Sequence, residues 1–505
     1  MGAEQKNVDG ESRDRVADAA PAAADATPAT GRQAAWNYLV FGLSKSSTLI
    51  MTIVAARLLD PADFGLFTLA LLVVNLFDYM KDLGVGAALV QSPDKWERLA
   101  PTGLTLTVIF GVVAGALLAL TAPLGAAMLH QPGLTPLIRV LAIGLTISAL
   151  SAIPAARLRR DLDFRQRMWP EFLGSVVKAT LTIVLAAQGH GVWSLVYGQL
   201  AGTVVLTVLY WWVARTPIMF GFDRHQARSL VRYGSALTGV SLLSFAMFNM
   251  DYLFIGMRRG DEQLGLYTLA YRLPDLLVLA LCSVISDVLF SALSRLQHDR
   301  KRLGGHYLEV IAATMALSAP ISVALAAAAP AVIGTLYGPE YAGAAPVLVV
   351  LAIYALLFSV SWHAGDVFKA MGRPTLLIAT GTGRLALMVG PVWWAAGHSI
   401  VLVGLMLLAV ETVMFTVNTL LVRRVAGIGL RDLGIAVVRP LPAAAAMGTA
   451  MLALTWLTAG LPAPVVLLIA IPAGLLTYVL GLRLTARQLY DAGAGVAHKV
   501  IGGSR

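Results

Sequence analysis

Two related heptapeptides lie 200 positions apart in the chain. They read FGLFTLA at Phe64–Ala70 and LGLYTLA at Leu264–Ala270, and five of the seven positions are identical. A shorter echo, VLAI, begins at Val140 and again at Val350, at nearly the same offset. Chance is the alternative explanation, because Leu, Ala and Gly are abundant, but both echoes fall at equivalent places in the hydropathy pattern. We interpret them as the trace of an internal duplication, so the two halves should share one fold.

The composition requires that a lipid bilayer surround most of the chain. Of its 505 residues, 58% are hydrophobic and 13% are charged, whereas soluble domains carry about 25% charged residues. A helix that spans a bilayer needs about 20 mostly apolar residues. We therefore predict an all-α polytopic membrane protein with about fourteen transmembrane helices, at roughly 37–57, 64–90, 101–123, 134–156, 168–188, 191–214, 233–257, 263–292, 306–329, 345–370, 374–395, 398–422, 435–459 and 463–482.

The duplication divides these helices into two pseudo-symmetric lobes of six, and the last two helices are additional. Residues 37–214 should superpose on residues 233–422, with Gly65 on or near Gly265. The first 35 residues are rich in Ala, Asp and Pro and lack the order of a signal peptide, so we expect a disordered tail. The predicted regions are a cytoplasmic tail (1–35), an N-terminal lobe (36–214), a cytoplasmic connector (215–232), a C-terminal lobe (233–424), two additional transmembrane helices (425–482) and a second cytoplasmic tail (483–505).

The distribution of cations predicts the orientation of the helices. Segments on one side carry arginine clusters, whereas those on the opposite side hold only Arg57, Arg258 and Arg259. Because cationic loops stay in the cytoplasm, both termini should be cytoplasmic. Three arginines spaced by four in the connector fit contact with lipid headgroups better than a specific partner site. This placement accounts for most of the net charge of +10, so nucleic acid is not an expected partner.

No nucleotide-binding, metal-binding or catalytic motif is present in the sequence. It contains no Walker A sequence, no HExxH and no Cys/His cluster, and its single cysteine, Cys282, lies in an apolar segment. The predicted outer loops are short, and the longest, at about 330–344, has no room for a catalytic domain. We therefore predict no catalytic residue, no metal site and no cofactor.

Charged and polar residues inside the predicted helices are the candidate functional residues. Each charge costs roughly 2.5–3.5 kcal/mol at the centre of a membrane helix, so it should face water or a partner. Polar stripes lie on the first, second, seventh and eighth helices, which are equivalent pairs in the two lobes. The candidates on these stripes are Lys45, Asn75, Asp78, Lys81, Asp251, Arg272 and Asp275, and other helices carry Lys178, Arg384 and Glu411.

The sequence leaves the partners of these charges open. Asp78 with Lys81, and Arg272 with Asp275, are spaced to form local ion pairs as well as to bind a ligand. Lys45 has no acidic neighbour on its own helix face. That isolation favours a ligand, or a partner on another helix, for the Lys45 ammonium.

His363 and Asp366 lie one turn apart near the inner end of the tenth predicted helix. A polar side chain near a helix end can extend to the membrane interface at little cost. We therefore interpret this pair as interfacial and leave it out of the candidate site.

A resemblance to a known family rests on three runs of sequence: Ala55–Gln91 (AARLLDPADFGLFTLALLVVNLFDYMKDLGVGAALVQ), Gly265–Pro274 (GLYTLAYRLP) and Leu336–Ala352 (LYGPEYAGAAPVLVVLA). They resemble bacterial polysaccharide exporters of the lipopolysaccharide and teichuronic-acid biosynthesis type, in the multidrug/oligosaccharidyl-lipid/polysaccharide exporter superfamily. The resemblance covers about residues 36–425. It implies two six-helix lobes around a central cavity that the first, second, seventh and eighth helices line.

The same resemblance implies a flippase of the bacterial plasma membrane that works by alternating access. The expected partners are a polyprenyl-diphosphate-linked oligosaccharide, membrane lipids and polysaccharide assembly proteins, and a gradient of H+ or Na+ would supply energy. We expect Lys45 and Arg272 to contact the diphosphate. The predicted cavity residues are Lys45, Asn75, Asp78, Lys81, Asp251, Arg272, Asp275 and Arg384, and the coupling candidates are Asp78, Asp275 and Glu411.

Two other functions are alternatives to a flippase. A multidrug cation exporter of the same superfamily would need net-negative, aromatic-rich walls, whereas here Lys45, Lys81 and Arg272 balance the acids. A membrane glycan polymerase or ligase would need a large outer loop with catalytic groups, which this chain lacks.

The topology can be tested at Gly338 and Arg300, which we predict to lie on opposite sides of the membrane because of the cation distribution. In a Cys282→Ser background, an impermeant maleimide should label Gly338→Cys in intact cells and Arg300→Cys only after lysis. Labelling of both positions from the same side would contradict the predicted orientation.

Overall fold

The computed structural model describes residues 46–491 except Pro93, Leu162 and Ala459, and every regular element within them is helical. Lys45 and the predicted tail 1–35 lie outside the described residues, as do residues 492–505. The first half contains α1 (Ser46–Ala56), α2 (Pro61–Asp78), α3 (Val85–Gln91), α4 (Trp96–Met128), α5 (Leu134–Leu150), α6 (Ala152–Arg160), α7 (Phe164–Ala187) and α8 (Val192–Ala214). The second half contains α9 (Arg224–Pro274), a π-helical turn (Asp275–Leu279), α10 (Ala280–Arg295), α11 (Arg300–Ala327), α12 (Ala329–Leu336), a 3-10 turn (Pro339–Ala344), α13 (Ala345–Trp362), α14 (Ala364–Ala370), α15 (Pro374–Ala396) and α16 (Ile400–Ala426), followed by α17 (Leu430–Val438), α18 (Leu441–Leu457) and α19 (Ala463–Thr485).

Twelve helical segments of the described chain are long and apolar enough to cross a bilayer. One of them, Arg224–Arg295, is 72 residues long and is interrupted at Gly260. The φ of 82° and ψ of −174° at Gly260 are not helical and suit a residue without a Cβ atom. The earliest described helix, α1, is apolar but shorter. These findings confirm an all-α polytopic membrane protein, and the count of fourteen helices stays a prediction.

The link between the two halves is partly helical. Residues 215–223 run without helix, and α9 then begins at Arg224 inside the predicted connector 215–232. The side chain of Asp223 caps α9 by accepting hydrogen bonds from the backbone N–H groups of His225 and Gln226, at 2.8 and 3.2 Å. Arg228 and Arg232 therefore follow Arg224 along the exposed first turns of α9.

Each half packs mainly as a bundle of neighbouring helices. In the first half α7 lies along α8 and α4 along α5, and in the second half α13 lies along α11 and α16. The additional helices α18 and α19 pack against each other and on α11 and α12. The hydroxyl of Tyr478 on α19 donates a hydrogen bond of 2.7 Å to the carbonyl of Ala316 on α11. The last two helices thus attach to the second half, while the predicted region boundaries stay predictions.

The two heptapeptides of the duplication pack directly against each other. A Cβ atom on Gly65 would lie 1.7 Å from the carbonyl oxygen of Asp261, and one on Gly265 would lie 1.8 Å from that of Pro61. The contact is reciprocal, because at the offset of 200 position 61 corresponds to 261 and 65 to 265. Equivalent contacts exchanged in this way are what a two-fold axis between two copies of one fold produces. The superposition of 37–214 on 233–422 itself stays a prediction.

Hydrogen bonds reinforce the junction of the halves at this end of the molecule. The hydroxyls of Thr268 and Thr68, also 200 positions apart, are joined by a hydrogen bond of 3.4 Å. The hydroxyl of Tyr341 donates to the carbonyl of Leu59 at 2.8 Å. At this end the halves are therefore in direct contact between α2 and the second part of α9.

A second pair of glycines joins the halves at the other end of the same segment. A Cβ atom on Gly84 would lie 2.5 Å from the carbonyl oxygen of Gly234, and one on Gly234 would lie 2.1 Å from that of Leu83. Leu83 and Gly84 have φ values of 44° and 70°, which turn the chain between α2 and α3. The α2–α3 segment therefore touches α9 at both ends, and polar space lies between the two contacts.

We predict that Gly65→Ala and Gly265→Ala each destabilise the protein by about 1–3 kcal/mol, because the added methyl group overpacks a backbone contact. The measurement is thermal unfolding of the purified protein in detergent. Gly125→Ala is the matched control, since no atom lies within 4 Å of its added Cβ and Ala is favoured over Gly in a helix. Equal unfolding temperatures for Gly65→Ala and Gly125→Ala would contradict the contact.

Candidate functional site

A polar cavity lies inside the first half, where α2, α5, α7 and α8 meet. It has a volume of about 430 Å³. A neighbouring cavity of about 490 Å³ shares part of this lining and extends to α9. The polar residues that line the first cavity include Asn75, Asp78, Lys81, Ser148, Glu171, Ser175, Lys178, Gln199 and Thr203. The structure thus brings three candidates of the second predicted helix to one cavity and adds groups from α5, α7 and α8 that the stripe argument did not include.

Asp78 and Lys81 neutralise each other at the wall of this cavity. The Lys81 ammonium lies 2.7 Å from a carboxylate oxygen of Asp78 and donates a hydrogen bond of 2.9 Å to the Ser148 hydroxyl on α5. The Lys81 side chain is 17% exposed. Of the two interpretations left open by the sequence, the local ion pair is therefore formed.

Glu171 is neutralised in a similar way on α7. Its carboxylate accepts a hydrogen bond of 2.8 Å from Arg167, one turn earlier, and one of 3.0 Å from the Tyr210 hydroxyl on α8. Both acidic groups of the cavity wall thus have a cation beside them. They hold the wall together and leave little net negative charge.

Lys178 and Arg272 are two cations, one in each half, that lie within electrostatic range of each other. Lys178, on α7, lines the cavity of the first half, and Arg272, on α9, lies within electrostatic range of it. A Cβ on Gly202 would lie 2.8 Å from that of Lys178, so the glycine on α8 makes room for the lysine. Among the described residues, no carboxylate lies within 4.0 Å of the Lys178 ammonium. Such a pair of like charges attracts an anion.

Arg272 and Asp275 lie on either side of Pro274, where the α-helix passes into a π-helical turn that begins at Asp275. Asp275 also lies within electrostatic range of Tyr252 and Tyr271. The local ion pair and the ligand-binding role both stay predictions for Arg272, which lies within electrostatic range of Lys178.

A second cavity, of about 420 Å³, lies in the other half between α9, α10, α13, α14, α15 and α16. Three aromatic rings form one wall, with centroids 5.6–6.4 Å apart. These rings belong to Phe248, Phe358 and Trp362. The polar lining consists of Ser244, Ser283, Ser286, Ser361, Asp366, Lys369, Thr380, Arg384 and Asn418.

Arg384 and Glu411 pair across α15 and α16, a match that the sequence could not make. They form a buried ion pair, with side chains 11% and 1% exposed. The guanidinium also lies 4.4 Å from the centre of the Phe358 ring. Arg384 thus borders the cavity while its charge is offset, and Glu411 is occupied by the same pair.

Asp251 is buried and does not line this cavity. It is 4% exposed and accepts a hydrogen bond of 2.5 Å from the hydroxyl of Tyr267, across the break in α9 at Gly260. Asp251, Tyr271, Arg384 and Glu411 together line a much smaller void.

The interfacial interpretation of His363 and Asp366 is wrong. His363 is fully buried and Asp366 is 2% exposed. His363 separates α13 from α14, and both side chains contact residues of α10 and α11 inside the second half. The signal in the sequence was the His–Asp spacing of one turn, but only the packing of neighbouring helices shows which side it faces.

Comparison with known proteins agrees with this architecture. A family model described as "Polysaccharide biosynthesis protein" matches residues 54–346. The lipopolysaccharide biosynthesis protein WzxC of Escherichia coli is 24% identical over 67% of this chain and 70% of its own length. The teichuronic acid biosynthesis protein TuaB of Bacillus subtilis is 26% identical over 79% of this chain and 83% of its own length.

Solved structures share the fold at lower identity. The lipid II flippase MurJ in an inward closed conformation has a TM-score of 0.72, with 14% identity over 90% of this chain and 99% of its own. A multidrug resistance transporter of the MATE family in an inward-facing conformation has a TM-score of 0.61, with 18% identity over 76% of this chain and 95% of its own. Because the family model covers more than half of the sequence, this multi-pass membrane protein belongs to the polysaccharide biosynthesis protein family.

Proposed function

We propose that this protein is a flippase that moves a polyprenyl-diphosphate-linked oligosaccharide from the inner to the outer leaflet of the bacterial plasma membrane, for cell-surface polysaccharide biosynthesis. Family membership and the named roles of the relatives support the process. The observation that carries the substrate assignment is Lys178, which lines the first cavity, has no carboxylate within ion-pair distance among the described residues, and lies within electrostatic range of Arg272.

The charges of the first cavity favour an anion. The acids at its wall, Asp78 and Glu171, each have a cationic partner. Lys178 then adds a positive charge that no described carboxylate within ion-pair distance offsets, and Arg272 lies within electrostatic range of it. In a site partly shielded from water, this repulsion is relieved when a diphosphate enters.

Such a site addresses the barrier that a lipid-linked glycan meets. A diphosphate cannot cross about 30 Å of hydrocarbon without replacement of its hydration shell. The Lys178 ammonium and the Arg272 guanidinium would replace part of it, while the polyprenyl chain stays in the surrounding lipid. The serine and threonine hydroxyls and the Gln199 amide of the cavity would hydrogen-bond the first sugars.

Alternating access would use the two glycine contacts in turn. The contact of Gly65 with Gly265 closes one end of the junction, and the contact of Gly84 with Gly234 closes the other. If one opens while the other holds, the cavity faces one leaflet at a time. Because the two halves derive from a duplication, nearly rigid movement of one half against the other could make and break both contacts.

The alternative functions are less well supported. A multidrug cation exporter would need acids free to bind a cation, whereas the acids of both cavities have basic partners: Asp78 pairs with Lys81, Glu171 with Arg167, and Asp366 with Lys369. The MATE structure also has a lower TM-score than MurJ. A polymerase or ligase function lacks support from the named relatives, which are biosynthesis and transport proteins.

The orientation, the partners and the energy source belong to this proposal as well. Cytoplasmic termini would place the Gly65–Gly265 contact on the outer side. Polysaccharide assembly proteins would receive the glycan there, and a gradient of H+ or Na+ would drive the cycle. Lys45 stays a predicted diphosphate ligand, and Asp78, Asp275 and Glu411 stay coupling candidates.

We predict that Lys178→Gln and Arg272→Gln each lower glycan export about 10- to 100-fold. A hydrogen bond to a charged group contributes about 1.5–3 kcal/mol, and 1.4 kcal/mol corresponds to a factor of ten. The measurement is surface glycan, together with the lipid-linked precursor retained inside, in a deletion strain that carries each variant at wild-type membrane abundance.

Two controls separate a binding role from a structural one. Lys178→Arg, which keeps the charge, should restore most of the export, and Lys301→Gln, at an exposed lysine of α11, should export normally. Normal export by both Lys178→Gln and Arg272→Gln would contradict the cationic site.

A further inference from the structure

A buried hydrogen-bonded cluster lies at the inner wall of the cavity in the second half. Nδ1 of His363 lies 3.3 Å from Oδ2 of Asp366, and the Ser286 hydroxyl donates to the same oxygen at 2.5 Å. Nε2 of His363 lies 3.1 Å from the hydroxyl of Thr314. The indole N–H of Trp362 donates to Ser286 at 2.8 Å. The cluster therefore joins α10, α11, α13 and α14 through one imidazole and one carboxylate.

The cluster borders the cavity of the second half at Asp366 and Ser286. Asp366 lines the cavity of about 420 Å³, and so do Ser286 and Lys369. The Lys369 ammonium lies 3.5 Å from the other carboxylate oxygen of Asp366, and the Lys369 side chain is 47% exposed. His363, which is fully buried, lies behind these three residues. Asp366 and Ser286 therefore connect the imidazole to the cavity.

The other titratable groups near the cluster come from every helix packed against it. Tyr307 on α11 and Cys282 on α10 lie within electrostatic range of Asp366. Arg384 lines the same cavity and is paired with Glu411. Among the described side chains, Lys369 and His363 are thus the basic groups within ion-pair distance of Asp366.

The chemistry of the cluster suits a proton. An imidazole changes charge between pH 5 and 8, the range in which a transmembrane pH gradient acts. Protonated His363 would donate from Nδ1 to Asp366 and from Nε2 to Thr314, whereas neutral His363 can donate from only one nitrogen. The hydroxyls of Ser286 and Thr314 can donate or accept and so can follow either state. Within the described residues, no group of three His, Cys, Asp or Glu side chains could hold a metal ion.

We propose that His363 and Asp366 form a proton-binding site that couples a proton gradient to the movement of the glycan lipid. This inference rests on the proposed function. A proton from the cavity binds the imidazole, the resulting ion pair tightens the junction of α10, α11, α13 and α14, and release of the proton on the other side loosens it. Because the cluster borders the second cavity and not the cationic one, proton and diphosphate occupy different halves and are coupled through helix movement.

The test measures proton flux and glycan-lipid movement in the same liposomes. The full chain is reconstituted in liposomes that contain the pH dye pyranine and lipid-linked glycan extracted from a deletion strain. After an imposed pH step, wild-type protein should carry protons into the lumen as the glycan lipid moves. His363→Gln should reduce this proton flux to the background of empty liposomes, while movement of glycan lipid down its own gradient continues. His398→Gln, at an exposed histidine before α16, should behave as wild type.

A second variant, Ser286→Ala, tests the proposed proton site if His363→Gln does not fold. It removes one hydrogen bond to Asp366 without removing a charge, and proton flux should fall about tenfold, since such a bond contributes about 1.5–3 kcal/mol. Wild-type proton flux in His363→Gln, or in Ser286→Ala where only the latter folds, would overturn the proton site. Failure of the wild-type protein to move glycan lipid at all would instead contradict the proposed function.

Discussion

The close contact between the two duplicated segments is the constraint on which the rest of the structure depends. Gly65 and Gly265 allow backbone to touch backbone, with added Cβ atoms placed 1.7 and 1.8 Å from the opposing carbonyls. No other residue fits there without moving a helix. Because the contact is reciprocal, the halves meet through equivalent surfaces, and the remaining helices of each half surround a separate cavity.

The charges within the membrane are divided between pairing and function. Asp78 with Lys81 and Arg384 with Glu411 are neutralised where they stand, which lowers the cost of burying them. Lys178 has no such partner in the described part of the chain, and it lines the cavity of the first half. An unpaired cation within the membrane has a cost, which an anionic substrate would offset under the proposed function. The cationic cavity with Lys178 thus lies in the first half, and the buried imidazole of His363 lies in the second half.

Sequence reasoning could predict the features that repeat along one helix. The all-α membrane fold follows from long apolar segments, and the heptapeptides at Gly65 and Gly265 indicated a duplication, whereas their direct contact was not predicted. The pairing of Arg384 with Glu411 could not be predicted, because the position of a charged residue within one helix does not indicate which neighbouring helix it faces. The same limit explains the wrong interpretation of His363, whose burial depends on α10 and α11, helices that are distant in the sequence.

The most direct test of the account is a reversible lock at the junction of the halves. In a Cys282→Ser background, Thr68→Cys with Thr268→Cys replaces two hydroxyls that lie 3.4 Å apart, close enough for a disulfide to form. Glycan export by this double variant should stop on oxidation and return on reduction, whereas Thr68→Cys alone should export under both conditions. Undiminished export with the disulfide formed would show that the halves need not separate at this contact, and the account would be contradicted.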